Sequence, residues 1–162
     1  MSDLWQGGTI TTQTKKHAAD LQTNIGKLTA VATTLTYRPE DLANGAAGLL
    51  EEVQSGKITG EEEAFSHLDL VDFSANVEGA QQALSFLAPG LRKIDPALTA
   101  QITGQVTLVR DKLSTYRDAS QLGGFKPYTA ALKATDAAAL SKAVQGLQDP
   151  LSRIAEKVAT AR

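Results

Sequence analysis

Residues 59–80 read TGEEEAFSHLDLVDFSANVEGA, and the fold turns on whether this stretch is one helix. Glu61, Glu62, Glu63, Asp69, Asp72 and Glu78 interrupt a run that is otherwise apolar or small, and no Lys or Arg accompanies them. Thr59 and Glu62 have the T-x-x-E spacing of a capping box, so a helix is expected over 59–88, ended by Ala88-Pro89-Gly90. At 100° per residue such a helix carries two polar strips. Glu62, Asp69, Asp72 and Asn76 gather on one, and Glu63, His67, Ser74 and Glu78 on the other. Phe73, Leu70, Val77 and Leu84 make one apolar band, with Leu68 and Phe86 marking a second. A surface helix shows one band and one polar face, so two bands place this helix centrally, with acids meeting other helices.

Other helices follow from period and punctuation. Leu21, Ile25, Leu28, Ala32 and Leu35 form one stripe of a helix expected over about 12–35. Pro39 opens a second helix with Leu42, Leu49 and Val53 inward and Gly56 closing it, and Gly45, Ala46, Ala47 and Gly48 suggest a close helix–helix approach. Asp95-Pro96 is an N-cap followed by proline at the first position, with Leu98, Ile102, Val106, Val109, Leu113 and Tyr116 inward. Asp136 is expected to cap the last helix, with Leu140, Val144, Leu147, Leu151, Ile154 and Val158 inward, and Pro150 to kink or break it near Gln148. The expected fold is all-α, an antiparallel up-and-down bundle of four to five helices in a single domain over 1–162.

Composition agrees. The 162 residues are 42% hydrophobic and 21% charged, with only 5% aromatics and abundant Ala and Leu, which favours helix over strand. A net charge of −2 argues against a nucleic-acid partner. With no Cys there is no disulfide, thiolate metal site or Cys nucleophile. No apolar run approaches the ~20 residues of a membrane span, and MSDLWQGG carries neither a basic nor an apolar leader region, so no signal peptide is expected in it.

Chemistry concentrates on the acids. Buried carboxylates need a cation, whether Lys or Arg, shared protons, or a metal, and oxygen-rich sites with one imidazole suit iron, manganese, calcium or zinc. Glu61, Glu62 and Glu63 also suit a helix N-terminus favoured by the dipole, and His67 with Glu63 suits a surface ion pair. Asp69 and Asp72 are harder to assign to packing, because Asp is a poor mid-helix residue; a buried salt bridge is the structural alternative. No H-E-x-x-H, G-x-S-x-G or phosphate-binding glycine loop occurs, no catalytic residue can be named, and His17 lies on a polar face. The residues leave three options open: a solvated helix face, a metal site, or half of a site completed elsewhere.

The stretch GAAGLLEEVQSGKITGEEEAFSHLDLVDFSANVEGAQQAL, residues 45–84, resembles the core of the imelysin-like domain of EfeO-type iron-uptake proteins. The family pattern is matched at Lys57, Gly60, Glu61, Glu62, Ser66, His67, Asp69, Asp72, Asn76 and Gly79. Leu68 and Val71 stand where the family usually has Thr and Trp. The family's His-x-x-Glu motif precedes a Leu-Trp pair that matches Leu4-Trp5, so the chain is expected to be a domain fragment lacking that helix. The resemblance implies an exported, periplasmic or cell-surface protein that binds iron, with zinc or calcium as alternatives, and hands it to a membrane permease or peroxidase partner. By position it implies Glu62, His67, Asp69 and Asp72 as ligands, with Asp20, Glu61, Glu63 and Asn76 as weaker or supporting groups. It also carries a peptidase label from imelysin, whereas no turnover by this chain is expected. The rivals are a docking module with structural acids and, last, a metallopeptidase. A missing helix would leave an apolar face that a second copy could fill as a homodimer.

Overall fold

In the computed structural model, residues 7–160 are described, so Leu4 and Trp5 lie outside them. The chain separates into two compact units, one ending at Tyr37 and the other beginning at Arg38. The first is built on helix α1, Thr12–Ala32, where Thr11 is the N-cap and its hydroxyl accepts from the Thr14 N–H at 3.1 Å. The expected stripe is helical from Leu21 to Ala32, with Leu35 just beyond the helix, and Leu21, Ile25, Leu28 and Leu35 are exposed, Leu28 at 67%. Periodicity dictates where apolar side chains line up on a helix, not what covers them.

The second unit is a four-helix bundle. Helix α2 spans Pro39–Glu52, α3 spans Asp69–Ile94, α4 spans Pro96–Ser114 and α5 spans Ala130–Thr160. Packing follows a ring, with α2 against α3 and α5, α3 against α4, and α4 against α5. The core is mostly aliphatic, with Leu50, Val53, Leu70, Val77, Val109, Val144, Leu147 and Ile154 among its fully buried members beside the aromatic Phe73. Ala46 is buried, but a Cβ on Gly45 or Gly48 would meet nothing; the close approach is at Gly79, whose Cβ would lie 3.1 Å from Leu49.

Helix α4 forms as its signals dictate. Asp95 accepts from the Leu98 N–H at 2.9 Å, Pro96 follows, and Leu98, Ile102, Val106, Val109, Leu113 and Tyr116 are buried. Two prolines do not end their helices. Helix α3 runs through exposed Pro89 because Leu84, Leu87 and Leu91 continue its buried stripe across it. Helix α5 runs through Pro150 in the same way, with Leu147, Leu151 and Ile154 buried on either side. Burial at several positions outweighs the ~3 kcal/mol against a helical proline. Asp136 is not a cap either, because α5 begins six residues earlier, where Thr129 accepts weakly from the Leu132 N–H at 3.3 Å. Asp136 instead accepts from the Tyr116 hydroxyl at 2.9 Å and pairs with Lys112 at 3.5 Å, tying α4 to α5.

The largest departure is over 59–68, where no α-helix forms. Helix α2 passes into a π-helical turn, Val53–Lys57, in which the Ile58 N–H reaches back to the Val53 carbonyl at 3.0 Å. The Thr59 hydroxyl donates to the carbonyls of Gly56 and Ser55, at 2.7 and 3.1 Å. That hydroxyl therefore closes the helix before it and does not cap one after it. Gly60, at φ +66°, then reverses the chain, so Gly60 rather than Gly56 is the terminating glycine. With α3 starting only at Asp69, the expected second apolar band dissolves: Leu68 precedes the helix and Phe86 is 68% exposed.

Burial divides the two apolar stripes energetically. Leu147→Ala is expected to destabilise the bundle by about 2–5 kcal/mol, whereas Leu28→Ala should shift stability by less than about 0.5 kcal/mol. Urea denaturation of both variants checks the contrast.

Candidate functional site

The π-helical turn delivers Lys57 to the start of α3. π-turns insert one residue into a helix and recur at functional sites because they re-aim a side chain. The Lys57 side chain is 11% exposed, and its ammonium donates to the Glu62 carboxylate and to Asp72 Oδ2, the latter at 3.3 Å. Glu62 reaches Lys57 by lying directly over Gly56, where a Cβ would collide with its carboxylate. Burial pulls the Lys57 pKa down, but the hydrogen bonds and charges of Glu62 and Asp72 outweigh that and raise it above its ordinary value. Lys57 is therefore a fixed cation between two carboxylates.

Behind it lies a carboxylate with no such partner. Asp69, in the first turn of α3, is 1% exposed, and neither of its oxygens meets a donor in hydrogen-bond geometry. Burial pushes its pKa up, and the charge of Glu63 adds to the rise; the nearby N–H groups of Asp69 and Glu63 and the charge of Lys57 offset part of it. Tyr128 lies near Asp69, its buried hydroxyl donating to the Ile58 carbonyl at 3.1 Å. Desolvation, reinforced by Asp69, pushes the Tyr128 pKa to about 12, so the phenol is neutral.

His67 joins the two parts through its backbone. Its N–H donates to the Glu63 carbonyl at 2.8 Å and its carbonyl accepts from the Tyr128 N–H at 2.9 Å. Held at both ends, it adopts φ +57°, a left-handed conformation that non-glycine residues adopt sparingly and that concentrates at functional sites. The Glu63 carboxylate accepts from the Ser66 hydroxyl, so the expected His67–Glu63 side-chain pair is replaced by a backbone turn. The connection after α4 buttresses the site from below: Gly123, at φ +76°, faces Val71, whose Cγ2 would be 2.5 Å from a Cβ there.

The expected ligands are thus neighbours in one loop and helix start, with different roles. Glu62 and Asp72 share Lys57, Asp69 is buried and unpartnered, and His67 anchors the loop through its main chain. Among the described residues, no three His, Asp or Glu side chains converge as a metal-holding group. Asn76 donates to the Leu49 carbonyl at 3.3 Å and joins α3 to α2, and Glu61 is exposed. Asp20 pairs with Lys16 at 2.8 Å on the exposed surface of α1. Reading carboxylates alone misses Lys57 and Tyr128. A signal for Lys57 existed, since it is the one cation within the matched stretch of residues 45–84.

Asp69 yields a pH test. A carboxylate whose folded pKa is raised stabilises the fold only while protonated, so its contribution is full below the ordinary value of 3.8 and is lost as pH rises through the folded value. Asp69→Asn is therefore expected to be more stable than the parent at about pH 7, with the difference closing below that ordinary value. Thermal melts of both proteins across pH check the sign.

Comparison with known proteins identifies the family. The imelysin family model matches residues 1–154. An "Efem/EfeO family lipoprotein" of Staphylococcus haemolyticus (strain JCSC1435) is 43% identical over 152 residues, which are 94% of this chain and 52% of that protein. Proteins of the same name from Staphylococcus aureus strains MRSA252 and NCTC 8325 / PS 47 are 40% identical over the same shares. The chain spans about half the length of the curated relatives it matches. Among the described residues, no helix is long and apolar enough to cross a membrane. With the family model spanning residues 1–154 and these relatives 40–43% identical over 94% of its length, the chain belongs to the imelysin family, and the relatives carry the name Efem/EfeO family lipoprotein.

Proposed function

We propose that this chain forms the cation-holding part of an EfeO-type iron-uptake component, binding iron as cargo without chemical turnover. The observation that carries the reading is Asp69: a carboxylate 1% exposed, with both oxygens lacking a donor, inside the motif region. Leaving a charge buried and unpaired costs several kcal/mol, so a fold retains one where it has a use. A hard cation would supply the missing partner, with Glu62 and Asp72 as further oxygen donors at the same helix start and His67 in the adjoining loop. Remaining ligands would come from parts of the full-length protein beyond the described residues. The relatives' lipoprotein name supports an extracytoplasmic, membrane-attached setting, where the partner would be a membrane permease or peroxidase that accepts the iron.

A second reading has its own support. Lys57 already neutralises Glu62 and Asp72 in part, as expected of a docking module whose acids are structural. The two readings part on metal. Calorimetric titration of the metal-stripped protein with Fe(II), Fe(III), Zn(II) and Ca(II) is expected to show iron binding. Asp69→Asn/Asp72→Asn should weaken it at least tenfold, about 1.4 kcal/mol. Equal iron affinity in both proteins, or none in either, would favour the docking module.

A further inference from the structure

We propose that the pocket between α3 and the end of α4 binds a free α-amino acid with an apolar side chain, Arg117 taking its carboxylate and Glu78 its ammonium. The inference is independent of the cation-holding reading of the loop at Lys57. The pocket is a cavity of about 360 Å³, within the size range of small-molecule sites, about 300–1,000 Å³. Four charged side chains line it: Glu78 from α3, Arg110 and Asp111 from α4, and Arg117 from the turn that follows. Two are positive and two negative, and among the described residues none of the four takes part in an ion pair.

Arg117 is fixed before any ligand arrives. Its backbone pairs with Phe125 in an antiparallel bridge. On either side the Asp118 N–H donates to the Gly124 carbonyl at 3.0 Å and the Lys126 N–H to the Tyr116 carbonyl at 2.9 Å. The guanidinium lies 4.0 Å from the centroid of the Phe125 ring, which is 3% exposed. Stacked on that face, it keeps its N–H fork at the edge of the plane, where a carboxylate is gripped by two parallel hydrogen bonds. Arg110 is the lesser candidate, because it already donates to Gln81 at 3.2 Å. Glu78 is steadied by the Ser74 hydroxyl, which donates to one of its oxygens at 3.3 Å. Buried Val77 and Leu113 add an apolar floor beside Phe125. An anion alone would be repelled by Glu78 and Asp111, and a cation alone by Arg110 and Arg117. A zwitterion meets both signs and brings no net charge. An α-amino acid carries ammonium, carboxylate and side chain on one carbon, so its apolar part can lie on the floor between the two charged contacts.

The test titrates the full chain by calorimetry with L-leucine and with leucine blocked at either end. Leucine is expected to bind with a Kd of about 1 mM or tighter. Leucinamide, which lacks the carboxylate, N-acetylleucine, which lacks the ammonium, and glycine, which lacks the side chain, should each bind at least tenfold more weakly, about 1.4 kcal/mol. Arg117 and Glu78 are exposed, so substituting them leaves the core intact. In Arg117→Gln the advantage of leucine over leucinamide should vanish, and in Glu78→Gln its advantage over N-acetylleucine. No leucine binding at millimolar concentration, or equal binding of leucine and its two blocked forms, would overturn the proposal on the unmutated protein alone. Variants that keep the parent's preferences would overturn the two assigned contacts. Tighter binding of the dipeptide leucyl-leucine would overturn the free amino acid as the ligand.

Discussion

The ammonium of Lys57 between Glu62 and Asp72 is the interaction on which the arrangement of the site depends. It joins the end of α2 to the loop and to the first turn of α3, which no backbone hydrogen bond could do across that span. Both carboxylates are partly solvated, so the pairs are screened and each contributes modestly to stability. Their value is geometric. Residues 59–68 form a loop rather than a helix, with Glu62 lying over Gly56, and that loop carries His67 to the start of α3.

Asp69 is the counterpart of that pair. Its position in the first turn of α3 is favourable for an acid, because the helix dipole and free N–H groups welcome negative charge. That effect is worth about 0.3–1 kcal/mol at exposed sites, too little to offset burial in which neither oxygen meets a donor in good hydrogen-bond geometry. The fold spends stability at this point, while the aliphatic ring of α2, α3, α4 and α5 supplies it elsewhere. His67, at φ +57°, belongs to the same pattern, in which the surrounding backbone over-determines a locally unfavourable arrangement.

Much of the bundle was legible in the sequence because its signals are local. Asp95-Pro96 and the stripe from Leu98 to Tyr116 specify α4 nearly to the residue. The start of α3 was not legible, because a threonine hydroxyl can cap the helix after it or close the one before it. Thr59 does the second, and only the packing of the π-helical turn decides between them. The prolines were misread for a related reason: Pro89 and Pro150 break a helix in isolation, but flanking buried leucines continue it. The α1 stripe announced a helix correctly. At the site, Asp69 and Asp72 stood out as misplaced acids for a helix interior; they are in fact first-turn residues, and the anomaly that survives is the burial of Asp69.

The central claim is that burial leaves the Asp69 carboxylate underpaired, with only loosely placed backbone N–H groups near it. Carbon-detected NMR titration of its side-chain carboxyl tests this most directly. The account predicts a midpoint above the ordinary 3.8 in the metal-free protein, moving downward when iron is bound. A midpoint at or below 3.8 that iron leaves unmoved would mean that Asp69 already has its partner, and would contradict the account.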